Sequence, residues 1–510
     1  MIINTNVKRL MIPRWRSLRL TIRSRELSYS STKRVIGSAG KITPELQRRL
    51  ENWRRSPNLV SAAELVETAI VDVQEEEAID AARSLVKKGS EAVPLVQAQA
   101  ALLLQRVGLG SEIPHHIKLQ AGEFTALWRR RTRLYPQSAL GWVELALSYT
   151  IDGHLDRAER ALLVALQLSP NNRHVLRSAS RFFLHRNDDI RAYEIIARSE
   201  ATQHDPWLIA SELALAEHID RDPRFYKRGI AMFDGEMPPR QLTELAGSIA
   251  TRELLEGSKK KARRYFNSSM LDPNANALAQ AEWASPRFGH ELFSASTLRS
   301  VEEAYEARAQ HLYREGQFSD VFVECEAWMN DEPYSIRPYE LSAGAANILE
   351  EHEKADELTR RGLGMRPNSP LLVNSRAYAL ACQNRLEEAH ALLANFPSAA
   401  PDWTHFVSEA NRGLIAFRRG NLVEGLHHYQ SAIDKFQKAG LGPMVLSAEI
   451  YLCREMVRLG LSEGEKMAEA LRLSVKNSHD KAIKKAFQNV EEFLAARVLT
   501  SQMEHNLIGT

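Results

Sequence analysis

The chain has 510 residues, 44% hydrophobic and 26% charged, with a formal net charge of +3. Its three cysteines, Cys325, Cys382 and Cys453, form no C-x2-C pair, which argues against a disulfide framework and for a reducing compartment. No apolar run approaches the roughly 20 residues that span a bilayer, and no secretory apolar core precedes a small-residue cleavage site. The charge is uneven. Residues 1–135 hold 23 Lys and Arg against 13 Asp and Glu, and the remainder 44 against 51.

Residues 1–41 stand apart. They carry Lys8, Arg9, Arg14, Arg16, Arg19, Arg23, Arg25, Lys33, Arg34 and Lys41 against one acid, Glu26. Three readings stay open. One is a basic, disordered arm. The second is a mitochondrial transit peptide, which is Arg-rich, Ser-rich and acid-poor and would place the mature protein in the mitochondrial matrix. The third is a phosphate-binding arm that releases counterions from nucleic acid, with Trp15 available for stacking. Without targeting, the chain reads as cytoplasmic.

Helices are expected from Thr43 onward, where Thr43-Pro44-Glu45 reads as an N-cap with proline at the first helical position. Residues 61–88 give two amphipathic helices with Leu65, Ala69, Ala78, Ala81, Ala82 and Leu85 inward. A very apolar helix follows at 94–107. The next, over 124–135, carries Arg129, Arg130, Arg131 and Arg133, a solvated face or a patch for an acidic partner.

Trp142, Leu145, Ala146 and Tyr149 then fall at fixed helical spacing, followed by Ala158 and Leu162, and the stretch is bracketed by Pro136 and Pro170. The unit from Arg173 keeps Leu176, Ala179 and Phe183 inward. On another stripe of the same helix, His174, Arg177, Arg181 and His185 recur every three or four residues. The pattern weakens between Trp207 and Pro273, where Lys259, Lys260 and Lys261 crowd a turn. Residues 286–300 are expected to be an irregular joint. From Val301 the pattern is regular again. Pro333, Pro367 and Pro401 are evenly spaced, and the same interval separates Ala343 from Ala377 and Ala355 from Ala389. It is also the interval from Pro136 to Pro170. Helices from Met444, Ser462 and Asp480 look like a capping bundle.

The shared interval is a 34-residue period, which marks a helix–turn–helix array, and the chain resembles the tetratricopeptide repeat family. The Trp142 unit follows W-x2-L-G-x2-Y, with Ala146 in place of Gly, and then A-x3-F, with Leu162 in place of Phe. The resemblance implies an all-α solenoid of helix-turn-helix repeats in a right-handed superhelix, ending in a C-terminal helical cap. It divides the chain into an arm (1–41), an N-terminal repeat half (42–285), a joint (286–300), regular repeats (301–403) and longer C-terminal repeats with capping helices (404–500). It also implies protein–protein recognition through a groove lined by the first helix of each unit. The groove residues would then be His174, Arg177, Arg181 and His185, suited to an acidic peptide, with Glu340, Asn347, Asn374 and Tyr378 on later units.

No catalytic constellation accompanies the repeats. His290-Glu291 and His352-Glu353 lack the second histidine of H-E-x-x-H, with Ser294 and Asp356 in its place. His115-His116 and His427-His428 are adjacent and point in different directions on a helix, so one metal is not expected to use both. We therefore expect a non-enzymatic scaffold or adaptor with a protein partner, no metal and no cofactor. A nucleic-acid-associated protein, with Arg14, Arg16, Arg19, Arg129, Arg130, Arg131, Arg133, Lys259, Lys260 and Lys261 as its basic patch, is the second reading. A component of a larger complex targeted by its arm is a variant of the first.

Overall fold

The computed structural model describes residues 8–17, 44–72, 75–87, 94–107, 109, 112–113, 121–235 and 237–508. Among them there are helices and no strands. The first nine helices are α1 (Pro44–Arg55), α2 (Leu59–Asp72), α3 (Ile79–Lys87), α4 (Pro94–Arg106), α5 (Ala121–Leu134), α6 (Ala139–Ile151), α7 (Leu155–Leu168), α8 (Arg173–His185) and α9 (Asp189–Ala197). Next come α10 (Pro206–His218), α11 (Tyr226–Ala231), α12 (Pro239–Leu255), α13 (Lys259–Ser269), α14 (Ala275–Phe288), α15 (Ala295–Ser300), α16 (Tyr305–Glu315), α17 (Phe318–Asp331), α18 (Arg337–Ile348) and α19 (His352–Met365). The last are α20 (Pro370–Cys382), α21 (Leu386–Ala394), α22 (Asp402–Arg418), α23 (Leu422–Lys438), α24 (Gly442–Arg458), α25 (Ser462–Asn477) and α26 (Lys481–Ile508).

Local chemistry sets the helix limits. Asn172, Asp205, Asn274 and Ser369 each accept a hydrogen bond from the first turn of the helix that follows, which satisfies donors that the helix cannot pair itself. From α6 to α25, the two helices of each hairpin are joined through one residue in the left-handed backbone region. Six of these are glycines, including Gly153 and Gly316, and the others are Asn187, Asp220, Glu350 and Asn384, with φ between 53° and 62°. After the turn, the backbone N–H of the sixth residue reaches back to the first, as in Asp188 N to Phe183 O (2.9 Å) and Arg385 N to Leu380 O (2.9 Å). This is the hydrogen-bond pattern of a Schellman stop.

The chain divides into two units, Pro13–Ala201 and the remainder, so that the segment ending at Ile12 belongs with residues from Thr202 onward. In the first unit, helix α6 packs on its partner α7 and also on α8. In the second, the first helices of successive hairpins, α10, α12, α14, α16, α18, α20, α22 and α24, each pack on the next in the series. Small residues permit close approach among these helices and the second helices packed on them. Ala343, Ala346, Ala355, Ala377 and Ala389 are all fully buried. At Gly362 a β-carbon would stand 2.6 Å from Leu372 Cδ1.

Much of the expected joint, 286–300, is helical, and only 289–294 lies between helices. Helix α14 runs through Trp283 and Pro286 to Phe288, since proline in a last turn removes a hydrogen bond at only one position. The helix from Asp480 forms the expected C-terminal cap: α26 packs on α24 and α25 and also reaches α16 and α18, with Ala482, Ile483, Phe487 and Val490 buried. Asn489 Nδ2 donates to Ile348 O at 3.0 Å. No helix among the described residues is long and apolar enough to cross a membrane.

Candidate functional site

The most elaborate polar site lies on the first helices α10, α12, α14 and α16 of the second unit. Its centre is Glu306 in the first turn of α16, 1% exposed. Asn276 and Gln280, one helical turn apart on α14, are buried beside it among alanines. Arg9 fills this site. Its Nε and Nη2 each lie 2.9 Å from a Glu306 oxygen. Nη1 donates to Gln280 Oε1 at 2.6 Å and Nη2 to Asn276 Oδ1 at 3.0 Å. Such a forked guanidinium–carboxylate pair combines charge with fixed geometry.

The main chain of the segment is held as well. Gln280 Nε2 donates to Arg9 O at 2.8 Å and Asn276 Nδ2 to Ile12 O at 3.1 Å. Lys8 Nζ meets Glu217 on α10, donating to its main-chain oxygen at 3.3 Å and pairing with its carboxylate. Met11 is fully buried against Gly247 of α12, where an added β-carbon would lie 3.2 Å from its methyl group. A mid-helix glycine weakens a helix by roughly 0.5–1 kcal/mol, and the close approach of Met11 accounts for this one.

Residues 8–17 are thus extended and largely buried, whereas the sequence reading gave them to a loose arm. The apolar character of Leu10, Met11 and Trp15 overrides the basic composition around them. In the first unit, Trp15 stands edge-on to Phe182 of α8, with ring centroids 6.1 Å apart and planes at 88°, and Ser17 Oγ donates to Glu144 at 2.6 Å. Trp15 is therefore not presented for stacking on bases. Arg14 and Arg16 are half-buried, and Arg19 lies outside the described residues.

The expected groove stripe on α8 is partly enclosed. Arg177 is buried, and His174, Arg181 and His185 are half-buried. Burial, with Arg177 adding repulsion, pushes the His174 imidazole down to about 4. The four residues expected on later units hold neighbouring helices together. Asn347 Nδ2 donates to Ser375 O (3.1 Å) and Asn374 Nδ2 to Thr404 O (2.9 Å). Glu340 accepts from Ser369 Oγ at 2.9 Å, and burial pushes its carboxyl up to about 7. Tyr378, also buried, accepts from Arg454 Nη1.

Of the remaining basic patch, Arg129 and Arg133 are exposed, and Arg130 pairs with Glu67 at 2.5 Å. Arg131 stacks over Trp128 at 4.8 Å. Lys259, Lys260 and Lys261 are exposed on α13, in the other unit. Sequence reasoning missed Arg9, Asn276, Gln280 and Glu306. The signal available was an Asn and a Gln one helical turn apart on an alanine-rich helix.

One group of potential metal ligands occurs among the described residues: Glu282, Glu291 and His311. Arg314 already supplies the positive charge there, with Nε 2.7 Å from Glu282 and Nη2 2.6 Å from Glu291. A hydrogen bond to Glu282 holds the His311 imidazole above its ordinary value.

Turn residues 153 and 187, and 316, 350 and 384, repeat at the interval of the prolines, with small residues where the helices cross. These are helix hairpins of the tetratricopeptide type. No protein-family model matches the chain, and no curated protein matches it in sequence. Among similar solved structures, yeast Tom70 is 13% identical, with a TM-score of 0.31 over 88% of this chain and 99% of that one. Naa15/Naa10 bound to HypK-THB gives 14% identity and a TM-score of 0.22 over 86% of this chain and 88% of that one. The Cut9–Hcn1 hetero-tetramer of APC/C gives 11% and 0.30 over 71% and 81%.

Proposed function

We propose that the protein is a non-enzymatic scaffold or adaptor that binds a protein partner along the first helices of its hairpins. One observation carries this reading. The first helices α14 and α16 hold an extended peptide segment, Arg9–Ile12, through side chains that bond its main chain and read its arginine. Recognition of an extended segment by many modest contacts on a rigid surface is a recurring mode of protein binding. Glu306, which pairs with Arg9, and Glu217, which pairs with Lys8, favour a basic segment here. An acidic peptide fits the α8 stripe instead.

The test is capture of partners from native lysate on the full-length chain, with and without nuclease, read by mass spectrometry. A protein recovered equally with nuclease, and lost with Glu306→Gln or with Arg177→Ala/Arg181→Ala, supports the scaffold. Recovery that disappears with nuclease and declines steeply with salt supports the nucleic-acid reading, for which Lys259, Lys260 and Lys261 offer exposed cations.

A further inference from the structure

The contact that builds the Glu306 site is one that a separate peptide could make. Residues 8–12 form no helix or strand of their own. The receptor side chains also have contacts of their own. With the segment in place, Asn276, Gln280 and Glu306 sit on helices and are 3%, 0% and 1% exposed. Gln280 Nε2 also bonds Thr251 Oγ1 at 2.8 Å, Gln310 Nε2 bonds Glu306 at 3.3 Å, and Arg337 pairs with the same carboxylate. These second contacts fix the rotamers that meet the segment. Beyond them, Gly247 leaves a hollow that Met11 fills.

We propose that this is a binding site for an extended peptide in which arginine is followed two residues later by methionine, and that Arg9–Ile12 is its intramolecular occupant. A partner segment of the same chemistry then binds by displacing the chain's own. The inference rests on the reading of the first helices as a protein-binding surface. The arginine is specified because its planar fork meets a carboxylate and two amide oxygens at once, which the single ammonium of lysine cannot do. The methionine is specified because a flexible thioether fits a hollow floored by backbone. A tethered occupant competes at an effective concentration on the order of millimolar, so the unmodified chain is self-blocked toward weak partners.

The probe is a fluorescent synthetic peptide with the sequence of residues 8–13, titrated into the full-length chain and followed by anisotropy. Arg9→Ala/Met11→Ala weakens the tethered occupant, and this variant is expected to bind the peptide at least tenfold more tightly than the wild type. Adding Glu306→Gln is expected to remove the gain. No gain in a double variant that still melts cooperatively overturns the proposal. If the double variant does not fold, a protease site placed within 18–43 of the otherwise native chain serves instead. After cleavage, the freed N-terminal piece should exchange with excess labelled peptide. A piece that stays through that challenge, or whose loss unfolds the protein, makes residues 9–12 a permanent part of the core and overturns the proposal. Partner capture by the wild type without peptide exchange overturns this inference alone. Peptide exchange without partner capture overturns the scaffold reading alone.

Discussion

Arg418 grips the carboxylate of Glu455 with two donors, Nε at 2.7 Å and Nη2 at 3.1 Å, and the two side chains are only 9% and 1% exposed. Arg454 reaches the same carboxylate at 2.9 Å and bonds Tyr378 and Cys382 with its other donors. Removing the shared acid leaves the buried Arg418 without its carboxylate and Arg454 with only Glu350, 3.6 Å away, a loss of about 3–5 kcal/mol. Glu455→Ala is therefore expected to lower the urea midpoint sharply, while Arg458→Ala, which removes a more exposed guanidinium 3.7 Å from that carboxylate, changes it little. Equal effects from the two would sink this account.

The buried asparagines tie consecutive first helices to one another. Asn411 Nδ2 donates to Asn374 O at 3.1 Å, and Asn374 donates onward to Thr404 O. Asn374→Ala is expected to cost ~1–3 kcal/mol, because it removes two buried side-chain hydrogen bonds, Nδ2 to Thr404 O and Asn411 Nδ2 to Oδ1. Denaturant unfolding measures it. An unchanged midpoint together with lost partner capture would instead assign Asn374 to ligand binding.

Two glycines separate close packing from helix propensity. At Gly464 in α25, a β-carbon would lie 2.7 Å from Val457 N and 2.9 Å from Met456 C, both backbone atoms that cannot swing aside. At Gly364 in α19 nothing lies within 4 Å. Gly464→Ala should destabilise by about 1–3 kcal/mol, and Gly364→Ala should stabilise by roughly 0.5–1 kcal/mol. Thermal melts of the pair provide the comparison.

Two groups give stability opposite dependences on pH. The Glu340 carboxyl is pushed up to about 7 by burial, from an ordinary 4.5. Between those values the folded chain binds more protons than the unfolded one, so this contribution declines as pH rises from 4.5 to 7. The His352 imidazole is pushed down to about 4 by burial, with Arg454 adding to it. Its contribution is whole above 6.5 and is lost as pH falls toward 4. Glu340→Gln is expected to flatten the upper limb by ~1–3 kcal/mol, and His352→Gln the lower one. Urea midpoints from pH 4 to 8 read both limbs.

The fold was legible because its rules are local and repeat. Alanines at 343, 355, 377 and 389, and prolines at the same period, encode helix crossings and stops that each hairpin must make for itself. The turn signal was half visible. Gly153, Gly316, Asn187 and Asn384 advertise left-handed backbone, but Glu350 adopts φ 61° under tertiary constraint that its own chemistry does not announce. The Arg9–Glu306 pair was not legible. It joins residues 297 positions apart, and no periodicity links an extended segment to a helix. The same blindness led Asn347, Asn374 and Tyr378 to be read as groove residues. Their spacing puts them on the right helices but does not reveal that a neighbouring helix or Arg454 already takes their hydrogen bonds.

The Arg9–Glu306 contact also has a schedule. On the ribosome, Arg9 emerges 297 residues ahead of its acid. At about 5–20 residues per second, that is a wait on the order of 15–60 seconds. The whole of Pro13–Ala201 is synthesised in the interval. A cationic, apolar stretch is meanwhile unsheltered, and a chaperone that handles the growing chain meets that stretch before its acid has been made.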